Sequence, residues 1–212
     1  MDVFKAGLVS GARFSARYEL PMVRKTEFKP TEAIQFGKAC RPRDYKQWVH
    51  FYAHDYKFER VWKDPARYLD MLKRFEGVIT PDFSVYRSMP LSMQIWNVYR
   101  NRALAYWMQS NGIDIVHNLR WGDERSYDFA FEGLEQGGSV AVSTYGCVRD
   151  KLDKYYFKKG LARMVKVVRP DTIVCFSYTP EDIFGEYRAA GIEIVTIDNY
   201  YEMAKKKKVV DE

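Results

Sequence analysis

Histidine is scarce in this chain, with three in 212 residues, at 50, 54 and 117. No HxH or HExxH spacing joins them, which excludes the ready-made zinc helix of metalloproteases. Cysteine is equally scarce: Cys40, Cys147 and Cys175 lie far apart and form no CxxC. An odd, dispersed set argues against a disulfide framework and for reduced thiols in a cytoplasmic protein. No uninterrupted apolar run approaches the length of a membrane span, so no membrane partner is expected. The start, MDVFKAGLVSGARFSARYEL, is charged from Asp2 and Lys5 onward and is unlike a secretory leader. GxGxxG and P-loop motifs are missing, which removes the familiar nucleotide cradles.

What is present points to a folded chain. Hydrophobic residues make up 47% and charged residues 29%, a globular and not a disordered balance. The net charge is +6, but four of the positive charges are Lys205 to Lys208 near the end. Without them roughly +2 remains at one unit per lysine, so overall basicity argues only weakly for a polyanionic partner. Residues 201–212 read as a basic, solubilising tail, with contact to an anionic partner as the sharper alternative. Residues 1–30 hold Gly7, Gly11, Pro21 and Pro30 and are basic through Arg13, Arg17, Arg24 and Lys25. They read as an irregular arm packed across the domain, or as an arm for nucleic acid.

Residues 31–200 read as one α/β domain. Short apolar runs at 33–36, 48–53, 78–80, 113–119, 139–144, 172–177 and 192–197 predict strands, several apolar on both faces as covered parallel strands are. Between them the spacing predicts helices. One opens at Asp64-Pro65 and ends near Gly77. A long one covers 92–110 and stops at Asn111-Gly112, another covers 155–168, and a fourth runs from Thr179-Pro180 to Gly191. Repeated strand-helix units imply a parallel sheet. The preferred architecture is a compact or incomplete β/α barrel, with an open doubly wound sheet as the alternative.

Both architectures place ligands at the carboxyl ends of the strands, and the unusual residues fall there. The densest set is HNLRWGDERSYD at 117–128. Arg120 and Arg125 are candidates to hold a phosphate or carboxylate through paired N–H donors, or to pair with Asp123, Glu124 or Asp128. Asp82, Asp123 and Glu124 are the candidate general acids, bases or metal-holding carboxylates, although Asp82 and Asp123 could each simply cap a helix. Trp121 and Tyr145 could stack a base or sugar, and Tyr178 joins them as a binding candidate. Ser143, Thr144 and Gly146 could offer hydroxyl and N–H groups to an anion. His54, Asp55 and His117 form a weak candidate set for a divalent metal. Cys147 with His117 as base is a conceivable nucleophile, and an inert buried thiol is the commoner outcome.

Three stretches together resemble a known family. They are GVITPDFSVYRSMPLSMQIWNVYRNRALAYWMQSNGIDIVHNLRWGDERSYDFAFEGL, SVAVSTYGC and FKKGLARMV, with TPDFS, RWGDE and STYGC the most specific motifs. The family is the bacterial and phage domain-of-unknown-function family 4417. The resemblance implies a cytoplasmic protein of phage or mobile-element origin and brings no activity. Two functional expectations stand side by side. One is a hydrolase or transferase acting on a phosphate-bearing nucleotide or nucleic-acid end. The other is a non-catalytic protein that binds nucleic acid through the arm, Arg100, Arg102 and the tail, or that binds a host factor.

Overall fold

A computed structural model describes Asp2 and residues 4–199; the basic tail lies outside the described residues. Seven strands form one sheet: β1 (Ala33–Gln35), β2 (Trp48–His50), β3 (Gly77–Ile79), β4 (Ile115–Asn118), β5 (Ser139–Ser143), β6 (Thr172–Phe176) and β7 (Glu193–Ile197). Every neighbouring pair is parallel and the spatial order is the chain order, β1 to β7. A doubly wound sheet reverses its order at a switch point, and this one never does. The sheet curls into a half-barrel, the incomplete barrel expected from the repeat of units.

The curl shows in the side chains. Trp48, Tyr52, Ile79, Val116, Ala141, Val174, Phe176 and Ile197 form one buried cluster on the concave face. Strand alternation sends their neighbours outward. Val49, Val78 and Ile115 meet the helices that follow the first strands, while Val140, Val142, Ile173 and Cys175 meet those that follow the last. The helices are α1 (Phe36–Ala39), α2 (Glu59–Lys63), α3 (Leu69–Leu72), α4 (Leu91–Ser110), α5 (Lys151–Val168) and α6 (Glu181–Ala189).

Boundaries differ from the sequence expectation, most at three places. The strand predicted at 48–53 stops at His50, because the Tyr52 N–H turns to His50 Nδ1 at 3.2 Å and leaves the ladder. The helix predicted from Asp64 breaks into a 3-10 turn, Ala66–Tyr68, and the single turn of α3. Its end is also the start of β3, where Gly77 lies directly under the Trp48 ring. Helix α5 begins four residues early, at Lys151, because the Asp150 side chain accepts from the Asp153 N–H at 2.8 Å and caps it.

Helix α4 departs most from a simple amphipathic pattern. It buries Gln94, Asn97, Arg100, Asn101 and Arg102 beside its apolar residues. Arg102 is 1% exposed and donates to the Ala130 and Glu132 carbonyls, to Asn101 Oδ1, and toward His117 Nε2 at 2.6 Å. Arg100 pairs with Glu59 at 2.8 Å and lies over the Phe83 ring. Both were expected as nucleic-acid contacts, and that expectation is corrected. Their guanidiniums satisfy interior carbonyls, a carboxylate and an aromatic face, and neither is presented to a partner.

The N-terminal arm is woven into the same structure. The Val23 N–H donates to the Gly133 carbonyl at 2.8 Å, the Arg24 backbone exchanges hydrogen bonds with the Gln109 side chain, and Leu20 and Val23 are buried. No helix among the described residues is long and apolar enough to cross a membrane.

Candidate functional site

The carboxyl ends of β3, β4 and β5 meet around one guanidinium. Arg120 follows β4 by two residues, and its Nη1 donates to Cys147 Sγ at 2.9 Å and lies 3.5 Å from Asp82 Oδ2. Burial, the largest single effect, works against the charge on Arg120, but Asp82, Cys147 and Tyr86 together outweigh it and keep the guanidinium protonated. Asp82 is buried, and burial pushes its carboxyl up; Arg120 and a hydrogen bond from Asn118 Nδ2 at 2.9 Å oppose that shift. The chain of bonds continues inward. Tyr52 Oη donates to Asn118 Oδ1 at 3.0 Å, and the Asn118 N–H donates to Thr80 Oγ1 at 2.9 Å. The buried carboxylate thus takes donors from two residues, and its guanidinium partner is half-buried, conditions under which such a pair is tolerated.

Arg120 opens onto a cavity of about 380 Å³, within the range of small-molecule sites. Its wall includes Tyr86, Arg87, Ser88, Trp121, Ser143, Cys147 and Tyr156. Two close approaches shape it. A Cβ on Gly122 would stand 3.1 Å from the Val85 carbonyl, so glycine lets the 85–88 loop close on the loop after β4. A Cβ on Gly160 would stand 2.0 Å from Trp121 Nε1, so only glycine lets the indole lie flat on α5, where Nε1 donates to the Tyr156 carbonyl. Arg87 reaches the cavity stacked on Tyr156, with Nη2 bonded to Asp153 Oδ1 at 2.7 Å. Its Nη1 is buried and has no partner among the described residues. That N–H is turned away from solvent, so Arg87 offers the cavity its charge and the rest of its guanidinium.

The residues expected from sequence separate into groups. Asp82, Arg120, Trp121 and Ser143 come together at or behind the cavity. Ser143 Oγ, buried, accepts from the Tyr145 N–H at 3.1 Å and shapes the turn that carries Gly146 and Cys147. Thr144 is buried, and its hydroxyl donates to the Tyr178 carbonyl at 2.7 Å. Tyr145 faces a second hollow, with His50, Tyr52 and Phe176, and Tyr178 is exposed. Asp123 caps the 3-10 turn Glu124–Ser126 and is gripped by Arg125 through both oxygens, which holds its carboxyl below the usual range. Arg125 and Glu124 are exposed and stand outside the cavity.

The metal candidates are spread out. His54 is exposed against Tyr56, Asp55 accepts from the Ser84 N–H and hydroxyl, and His117 sits beneath Arg102. No group of three or more His, Cys, Asp or Glu among the described residues is arranged to hold a metal ion. Asp55 instead ties the loop after β2 to the loop after β3.

Sequence reasoning missed Arg87, Asn118 and Tyr156. Arg87 stands in a loop eight residues beyond β3, where nothing local marks it. Asn118 lies inside the quoted HNLRWGDE motif, and its inward position on β4 was the available signal.

Two phage proteins are similar to this chain. The "Gene 1 protein" of Mycobacterium phage L5 is 35% identical over 166 residues, which span 76% of this chain and 72% of that protein. The "Gene 1 protein" of Mycobacterium phage D29 is 33% identical over 166 residues, 76% of this chain and 61% of that protein. The chain therefore spans between three fifths and three quarters of these relatives' lengths. No solved structure matches it. The similarity to a family described as a domain of unknown function extends over residues 12–198, nearly the whole sheet and its helices, and the chain belongs to that family, DUF4417.

Proposed function

We propose that the cavity beside Arg120 receives the phosphate of a small phosphate-bearing ligand, a nucleotide or a nucleotide-like monoester, and that the protein is a hydrolase or transferase acting on it. The observation that carries this reading is that two guanidiniums line the one cavity: Arg120, paired with Asp82, and Arg87, paired with Asp153. Planar forks suit phosphate oxygens better than a point charge does. Tyr86, Trp121 and Tyr156 give the same cavity aromatic surface for the rest of the ligand. Of the candidate carboxylates Asp82, Asp123 and Glu124, Asp82 is the one in contact with Arg120, and we give it the task of holding that guanidinium. The three widely spaced cysteines, with no CxxC, favour a reducing compartment, so we place the activity in the cytoplasm. Nucleic-acid binding without chemistry is the weaker reading, because two of its four elements, Arg100 and Arg102, are interior.

Titration calorimetry with inorganic phosphate and with adenosine monophosphate tests the proposal. Arg120→Ala and Arg87→Ala should each weaken binding roughly tenfold or more, the loss of one charge-assisted contact. Binding that is absent up to millimolar ligand, or that is unchanged in both variants, overturns it.

A further inference from the structure

The cavity holds a nucleophile whose place among the charges is unusual. Cys147 Sγ, Arg120 Nη1 and Asp82 Oδ2 share one guanidinium nitrogen, with the thiol on the cavity wall and the carboxylate behind. Of the three cysteines, Cys40 lies at the end of α1 and Cys175 is sealed on the outer face of β6. Of the three, Cys147 alone lines the cavity that Arg87 and Arg120 also line. The turn from Ser143 sets its position: the Cys147 N–H donates to the Thr144 carbonyl at 3.0 Å, and Gly146 takes φ +74°. The sulfur donates toward the Tyr145 carbonyl at 3.5 Å and accepts from Arg120. The group there is accordingly a thiol, and it must give up its proton as it attacks. Burial raises the thiol, with Arg120 opposing.

We propose that Cys147 is the nucleophile of the reaction in this cavity, with Arg120 steadying the sulfur and Asp82 holding Arg120 in register. The inference rests on the phosphate-binding reading of the same cavity. In the first half, the thiol proton passes to a non-bridging oxygen of a phosphate monoester dianion while sulfur attacks its phosphorus. An S–P bond forms, the ester O–P bond breaks, and the departing alkoxide takes that proton. In the second half, water attacks the phosphocysteine and gives a proton to a phosphate oxygen. The S–P bond breaks, and the thiolate recovers that proton. Arg120 and Arg87 balance the charge on the equatorial oxygens in both halves. No electrons are gained or lost, and water is the only other reactant.

The test uses the full chain and p-nitrophenyl phosphate, with acid quench and intact-mass measurement. The expected result is p-nitrophenolate release together with a phosphoryl adduct mapped to Cys147. Cys147→Ser should abolish both, Asp82→Asn should slow release at least a hundredfold, and a Cys40→Ser control should change neither. Cys147→Ser must still bind inorganic phosphate by calorimetry, which separates loss of the nucleophile from loss of the site. Turnover that survives Cys147→Ser overturns the inference and leaves the binding reading intact. Wild type that binds phosphate but gives neither release nor adduct also overturns it. Failure of wild type to bind phosphate removes both readings.

Discussion

At Gly160 two opposing effects meet in one residue. A glycine in the middle of an 18-residue helix costs about 0.5–1 kcal/mol relative to alanine. At an open position, Gly→Ala would therefore stabilise. Here the added carbon would stand 2.0 Å from the Trp121 indole, and overpacking of this kind costs about 1–3 kcal/mol. Gly160→Ala is expected to lower the urea midpoint, and the Trp121 fluorescence should shift as the ring is pushed off α5. A raised midpoint would show that the indole moves away freely. The two inward histidines set a second expectation. His50 is driven down to about 3, by burial first and Lys38 second; His117 is driven well below its ordinary 6.5 by burial and by Arg102. Both are neutral in the fold and titrate normally once it opens, so unfolding takes up protons at acid pH. Stability is thus complete above pH 6.5 and declines as pH falls below it, for His50 down to about 3, by roughly 1.4 kcal/mol per pH unit for each histidine that remains neutral. Urea titrations at pH 7, 6 and 5 should show this decline. His50→Asn should make it about half as steep; an unchanged slope would mean that His50 does not carry it.

Among the elements, α4 shows how far a sequence discloses its own structure. Its length and its stop at Asn111-Gly112 are plain in the residue pattern, as are most of the strands, because Val and Ile runs bounded by turn residues have few other uses. Its buried polar side is not. Arg100 and Arg102 look like surface charges until tertiary structure brings Glu59, Ala130, Glu132 and His117 against them. The site was half visible for a similar reason. Strand ends could be counted, so Asp82, Arg120 and Ser143 were found together. Whether Asp123 meets a ligand or caps its own turn depends on where Arg125 points, and spacing does not encode that. Arg87 depends on a loop folding back over Gly122, a contact between distant segments. The interior role of Arg102 is open to measurement. Arg102→Ala leaves two carbonyls, an amide oxygen and an imidazole without their donor, at about 1–3 kcal/mol for each buried acceptor. A loss of at least about 3 kcal/mol in chemical denaturation is expected, and a loss under 1 kcal/mol would place Arg102 at the surface after all.

For the molecule as a whole, the sheet is uneven. Five residue pairs join β5 to β6 and five join β6 to β7, whereas two or three join each pair among β1 to β4. Regions with fewer backbone bonds open first. Hydrogen exchange followed by mass spectrometry should therefore find 139–143 and 172–176 slowest and 33–35 and 48–50 fastest among the strands. Equal protection across all seven would mean that the helices, and not the ladder, set the order of opening. The strand order has another consequence, for synthesis. Each strand lies beside the one made just before it, so a chain leaving the ribosome can lay down its sheet in the sequence in which it is translated. No early segment has to be kept unstuck while a distant partner is still being made.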